Sequence, residues 1–341
     1  MITVKNRHRI ANLIICIFGT TFFCKTQELI KYLFTFRKDY NRKTKCPVLT
    51  DKKQRVVFMI DGKTIHGGLS DRIRGLLSVY HYCKLNDKEF RVCFINPFYL
   101  EEYLNPNKVD WLIKYDDLSF CRKEVSFRYF NSYCNLNNKE KEYFNLLHSS
   151  KKEIHVYSNV TIREDLFKKY FDNLFLPTDK VLQSLNHCLA YNHITSDYVS
   201  ITFRFIGILG DFQDHKGYGE DATIEQKELY IKKCRNAIEW LHHHFIDRRI
   251  LVTADSNIFL NAIKDLPYIF FANGKVQHCD FGENKQDYTK PFTDLFLIAR
   301  AQISFGFYTG KMFASSKFAL TASLIGGHKF TMITDTDIVH N

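Results

Sequence analysis

The second half of the chain alternates short apolar runs with longer amphipathic stretches. Residues 198–205, 249–253, 268–271, 302–306 and 328–333 are brief runs rich in β-branched and aromatic side chains, which predicts strands buried on both faces. Between them, 223–245, 257–264, 292–301 and 311–325 place apolar residues at helical spacing. Regular alternation of strand and helix predicts a parallel, doubly wound sheet. The same pattern opens earlier: 55–60 (RVVFMI) predicts a strand, 61–69 holds three glycines, 70–86 predicts a helix and 90–95 a second strand. Residues 97–150 are aromatic and charged without a clear period. Beyond them, 153–156 predicts a strand, and 163–191 a helix interrupted at Pro177.

Two such halves meeting near 190–197 divide the chain into an N-terminal Rossmann-like domain over 55–192 and a C-terminal one over 193–341, behind a basic, partly apolar segment over 1–54. The expected fold class is α/β, two doubly wound domains facing a cleft, with ligand bound at the carboxyl ends of the strands.

Charge changes the picture only at the start of the chain. The 341 residues carry a net +11, of which twelve Lys/Arg against three acids place +9 in residues 1–54. A body this close to neutral excludes a general nucleic-acid surface, so no nucleic-acid partner is expected. Residues 10–24 hold no charge, which is short for a bilayer span, and bulky Phe22 and Phe23 stand where a signal-peptide cleavage site needs small residues. Leu29, Ile30, Tyr32, Leu33, Phe34 and Phe36 interleave with Lys31, Arg37 and Lys38 as on an interfacial helix. The expectation is a segment bound to an anionic membrane surface, peripheral on the inner, cytoplasmic face of the cell membrane. The alternative is a helix packed on the body with its charges solvated. Ten cysteines stand singly, without a C-x-x-C pair, as unpaired thiols of a reducing cytosol do.

Four turns between a strand and a helix could carry chemistry. The first is 66–75 (HGGLSDRIRG), where Gly67 and Gly68 allow close approach of backbone to a ligand and the helix start favours an anion; the plain alternative is an ordinary turn. The second is Arg204, whose fork suits diphosphate oxygens, the alternative being an ion pair with Asp211 or Asp214. In the third, Asp255 and Ser256 could accept from ribose hydroxyls or a base N–H, or simply cap a helix. The fourth, Thr309, Gly310 and Lys311, is a possible phosphate cradle. Asp335 and Asp337 have the D-x-D form that holds Mn²⁺ or Mg²⁺ but lie at the extreme C-terminus, where chance is the plainer reading; His242 to His244 point their rings in different directions and His278, Cys279 and Asp280 form no ligand set, so no metal is expected.

These turns resemble those of the fucosyltransferase superfamily. Residues 66–75 resemble its first-domain glycine motif, and Arg204 its donor-diphosphate arginine. Residues 251–256 are similar to its Thr-Asp-Ser element, and 294–301 followed by Thr309 and Gly310 to its closing helix and phosphate loop. Thr202 and Phe205 depart from the His-x-Arg-Arg pattern around Arg204, and Asp211 arrives late. The resemblance spans about residues 55 to 335. It implies a GT-B fold and an inverting, metal-independent transferase of surface-polysaccharide synthesis that needs no cofactor. Its donor would be GDP-fucose or another nucleotide sugar, and its acceptor a glycan or lipid-linked glycan. Arg204 would stabilise the leaving diphosphate, His66 or Asp71 would take the acceptor proton, and Gly67, Gly68, Asp255, Ser256, Thr309, Gly310 and Lys311 would line the nucleotide. Rival readings are a GT-B transferase using a UDP-sugar and a non-catalytic membrane-associated assembly protein.

Overall fold

The computed structural model describes residues 4–40, 53–195, 197–211, 222–276, 279 and 286–339. Most of the basic linker at 41–54, together with Asp214, His278 and Asp280, lies outside the described residues. The chain forms two compact units, 1–100 with 106–175 and 101–105 with 176–341.

Unit 1 begins with the helices α1 (Val4–Phe18) and α2 (Thr20–Lys31), a π-helical turn at Tyr32–Phe36 and the short α3 (Arg37–Tyr40). Its sheet is built from β1 (Arg55–Ile60), β2 (Glu89–Phe94), β4 (Val125–Phe130) and β5 (Glu153–Ser158), all parallel, in the order β2-β1-β5-β4. The helices α4 (Leu69–Leu85), α5 (Glu140–Leu147) and α6 (Phe167–Leu174) complete the unit. Two three-residue strands, β3 (Leu104–Pro106) and β6 (Phe175–Pro177), pair with each other. Strand β4, with the sequence VSFRYF, has no counterpart in the sequence reading: Val125, Phe127 and Tyr129 alternate with Ser126 and Arg128 at strand period, but the run is short and lies in an aromatic, charged stretch whose period is otherwise unclear.

Unit 2 contains α7 (Asp179–Tyr191), β7 (Tyr198–Phe203), α8 (Ile224–His244), β8 (Arg249–Ala254), α9 (Asn257–Ile263), β9 (Ile269–Phe270), α10 (Thr289–Arg300), β10 (Ile303–Tyr308), α11 (Phe318–Gly326), β11 (Phe330–Thr334) and α12 (Asp335–Val339). The sheet order is β11-β10-β7-β8-β9, again all parallel. The strands are buried because helices cover both faces; Val199, Ile201, Phe203, Ile250, Val252 and Phe307 form the centre of one apolar core. This is the doubly wound order, with the direction of winding reversing between β7 and β10.

Three expectations meet a different structure. The units part at 175/176 and not at 192/193, because α7 packs on α10, where Thr293 donates to Ser184 Oγ at 2.9 Å. The segment over 1–54 is not set apart from the body: Phe36 and Tyr40 are buried in the unit 1 core against Val57, Met59, Phe127 and Tyr157. Tyr40 Oη meets His155 Nδ1 at 2.7 Å, and His155 Nε2 meets Glu153 Oε1 at 2.6 Å, so a buried polar chain anchors α3 to the sheet. Of the cysteines read as unpaired, Cys121 is disulfide-bonded, while the other eight described ones carry free thiols. Among the described residues, no helix is long and apolar enough to cross a membrane.

Candidate functional site

In unit 2 the sequence-predicted residues gather at the carboxyl ends of β7, β8 and β10, on both sides of the point where the winding reverses. Adjacent helices there run to opposite faces and leave a crevice at the strand ends, the usual ligand position in such sheets. Arg204 leaves β7 directly. Its Nη1 lies 2.8 Å from Asp255 Oδ2, and its side chain is 20% exposed. The expected alternative partner, Asp211, instead accepts from Ile258 N at the start of α9.

Asp255 does more than pair a charge. Its Oδ1 accepts from Phe205 N at 2.7 Å and its Oδ2 from Ile206 N at 2.8 Å. Burial pushes the Asp255 carboxyl up, against the pull of Arg204 and of these two N–H groups. Ile206 holds φ +51, a left-handed conformation that costs a β-branched residue about 1–3 kcal/mol. The carboxylate clamps the bend that follows Arg204 and holds the guanidinium at the carboxyl ends of β7 and β8. From across the crevice, Phe313 N donates to Arg204 O at 3.0 Å, which ties the segment after β10 to the end of β7.

That segment departs from expectation. A helix over 311–325 is not formed; α11 begins at Phe318, and 311–317 is a turn. Gly310 takes φ +55, where an added Cβ would stand 2.7 Å from Tyr230 Oη, and the same hydroxyl accepts from Lys311 N at 2.9 Å. Thr309 Oγ1 donates to Asp335 Oδ2, and Lys233 Nζ bridges the two at 3.2 and 2.8 Å. Helix α8 therefore supplies the floor of this turn through Tyr230 and Lys233, which pattern reading missed because both lie among ordinary amphipathic positions. Ser256 caps α9 by accepting from Phe259 N at 3.1 Å, the plain alternative read from the sequence. Asp294, which opens the 294–301 stretch, lies in the first turns of α10: it is buried, pairs with Lys290 at 2.7 Å, and its Oδ1 has no hydrogen-bond partner among the described residues.

In unit 1 the glycine turn also sits where winding reverses, between β1 and β5. Gly67, at φ +86, leaves room for Asp71, whose Oδ2 would lie 2.4 Å from an added Cβ. Gly68 is the N-cap of α4 in extended conformation. Gly75 lets α4 approach β5 so closely that a Cβ would meet Ser158 O at 2.3 Å. Arg72 is buried and donates to Gly67 O at 3.0 Å and Asn96 O at 2.7 Å. The carboxylate of Asp71 is 40% exposed and lies 4.0 Å from Arg74 Nη1.

His66 is a correction. Its ring is buried, stacks 6.0 Å from Tyr157, and shares a 2.8 Å hydrogen bond with Thr64 Oγ1. Burial pulls its pKa down to about 3, helped by the Arg72 charge. An imidazole so reluctant to hold a proton, and so far from solvent, is a poor general base.

The motifs set aside in the sequence have structural uses. His242 stacks on Tyr268 with centroids 3.8 Å apart, and His244 Nδ1 meets Trp240 O at 2.8 Å. Asp337 accepts from Thr334 N at 2.7 Å, closing the last turn.

No family model matches this sequence, and no curated protein does. Solved structures do share its fold. An Arabidopsis thaliana FUT1 mutant in complex with GDP is 13% identical, with a TM-score of 0.52 over 87% of this chain and 74% of that one. NodZ α-1,6-fucosyltransferase soaked with GDP-fucose is 13% identical, with a TM-score of 0.51 over 80% of this chain and 93% of that one. The fucosyltransferase NodZ from Bradyrhizobium matches likewise, at 13% identity and a TM-score of 0.51 over 81% and 94%. With its two parallel, doubly wound sheets, the chain has the fucosyltransferase-like GT-B fold that its glycine turn and strand-end arginine implied.

Proposed function

We propose that this chain is a glycosyltransferase that moves a sugar, fucose favoured, from a GDP-sugar to a glycan acceptor with inversion, in the assembly of surface polysaccharide. The observation that carries the reading is Arg204, held partly exposed at the carboxyl ends of β7 and β8, beside the point where the winding reverses, by a buried carboxylate that also holds a strained bend. Structures of the same fold were obtained with GDP and with GDP-fucose, which supports a guanine nucleotide as donor.

Unit 2 takes the donor in this reading. The guanidinium of Arg204 forks onto diphosphate oxygens while the acceptor oxygen attacks the anomeric carbon from the opposite side. As the bond between that carbon and the diphosphate oxygen breaks, its electron pair leaves on the GDP, where Arg204 meets the growing charge in place of a metal ion. The turn at Thr309, Gly310 and Lys311 flanks the same crevice, with its backbone set by Tyr230. Asp71 at the start of α4 takes the acceptor proton, since it is the half-exposed carboxylate of the glycine turn.

The N-terminal segment attaches the enzyme peripherally to an anionic membrane surface. Ile10, Leu13, Ile17, Phe18, Phe22, Leu29, Ile30, Leu33 and Phe34 are exposed on it.

The test is release of GDP or UDP from a panel of nucleotide sugars by the purified chain. GDP from GDP-fucose is expected, falling by about 100- to 1,000-fold per folded molecule in Arg204→Ala, which also loses stability because it leaves the buried Asp255 carboxylate without its counter-charge. Undiminished turnover in that variant removes Arg204 from the chemistry. Release of UDP alone makes the chain a UDP-sugar transferase.

A further inference from the structure

The apolar face of α1, α2 and the π-helical turn ends beside the glycine turn of unit 1. Phe34 is 84% exposed, while Phe36, two residues on, is fully buried with its ring 4.7 Å from Tyr157. Tyr157 in turn stacks on His66 and donates to Asp61 Oδ2 at 2.9 Å. Lys63 Nζ reaches back to Asp39 of α3 at 2.8 Å and lies 5.9 Å from the Phe36 ring. The loop from Asp61 to Ile65 is thus pinned against the end of the N-terminal segment, and at its tip Ile65 is 63% exposed.

Charge on this segment is one-sided. Arg9, Lys25, Arg37 and Lys38 are exposed. Its two described carboxylates, Glu28 and Asp39, are turned into ion pairs with Arg128 at 3.3 Å and Lys63 at 2.8 Å. An apolar stripe flanked by exposed cations complements an anionic bilayer.

We propose that the loop from Asp61 to Ile65 completes the bilayer-facing surface begun by α1, α2 and the π-helical turn, so that the glycine turn of unit 1 works at the lipid headgroups on an acceptor saccharide carried by a membrane lipid. This rests on the docking and acceptor readings above, and gives the acceptor a chemical class: a glycan on an apolar anchor in the same leaflet. A polar acceptor arriving from solution would have no use for an exposed isoleucine next to the turn that receives it.

Single tryptophans in the full chain, Phe34→Trp and Ile65→Trp, report on each half of the surface. Their emission is compared on vesicles of equal parts phosphatidylcholine and phosphatidylglycerol, with and without bromine on the acyl chains, after subtracting the unsubstituted chain. Both are expected to be quenched. Quenching at position 34 without quenching at 65 leaves docking intact and overturns the proposal. Quenching at neither position, with no sedimentation of the chain on the vesicles, removes the docking reading itself. For the acceptor, GDP release from GDP-fucose is expected to be about 10-fold faster with dodecyl glycosides held in those vesicles than with methyl glycosides of the same sugars, through their higher effective concentration. Equal rates from solution overturn the lipid-borne acceptor.

Discussion

In unit 1 the arginine after the glycine turn, Arg72, is buried and gives its hydrogen bonds to the carbonyls of Gly67 and Asn96, whereas in unit 2 the arginine ending β7, Arg204, is held by the Asp255 carboxylate with a fifth of its side chain in water. Both stand where a parallel sheet reverses its winding. A guanidinium bonded to backbone carbonyls is a strut that fixes a turn. One steadied by a buried carboxylate and still partly in water is equipped to meet an anion. The two carboxylates differ in the same sense: Asp71 fills the space left by Gly67 and remains accessible, while Asp255 is enclosed and committed to the chain.

The largest effect is expected where that contrast depends on one buried charge. Asp255→Asn leaves Arg204 without its counter-charge and replaces an acceptor of backbone N–H groups by an amide. It is expected to cost about 3–5 kcal/mol of stability. A fall in GDP-fucose turnover should accompany this, even when corrected for the folded fraction. Urea unfolding and GDP release measure both, and an Asp255→Asn enzyme that is weakened in stability but fully active would make Asp255 a structural clamp only.

Arg72→Met probes the other arm. Loss of its donors strands two carbonyls, for about 2–4 kcal/mol in all, yet turnover per folded molecule is expected to hold. If turnover per folded molecule instead falls as it does for Arg204→Ala, the two arginines do the same work and the contrast fails.

The smallest effect separates the buried His66 from a catalytic base. Its folded pKa of about 3 lies below the unfolded value near 6.5, so its contribution is complete above about pH 6.5 and is lost as pH falls toward 3. Between about pH 7.5 and about pH 5.5 the loss is about 1 kcal/mol. Because Glu28, pushed up to about 7 by burial, acts with the opposite sign in this range, the quantity to compare is the urea midpoint of the wild type minus that of His66→Gln at each pH. A difference that does not change with pH would mean that His66 is not buried as a neutral ring.

Much of the fold was legible because strand and helix declare themselves locally. The runs that became β1, β7, β8 and β10 are continuous and apolar, and Thr223 with Gln226 marks the start of α8 by a complete capping box. Strand β4 alternates correctly, with Val125, Phe127 and Tyr129 apolar and Ser126 and Arg128 polar, but so short a run is masked by the aromatic and charged stretch around it; the partners of Arg128, Glu28 of α2 and the carbonyls of Phe127 and His148, come from the fold. The start of α11 was misplaced for a similar reason: residues 311–317 have no breaker, and what holds them out of helix is Tyr230 from α8 and the Arg204 carbonyl. At the candidate site, Arg204 could be named from its place after an apolar run, but its partner could not.

By itself the sequence determined the alternation of elements, the parallel sheets that follow from it, the backbone freedom of Gly67 and the concentration of positive charge near the start, since all of these depend on neighbours along the chain. The folded molecule alone settles that His66 is sealed from solvent beside Thr64 and Arg72, that Asp255 belongs to Arg204, and that one side of the N-terminal segment is core while the other is exposed. Burial and pairing are set by residues tens of positions away, and the free energy of a charge or an apolar ring depends on what surrounds it more than on what it is.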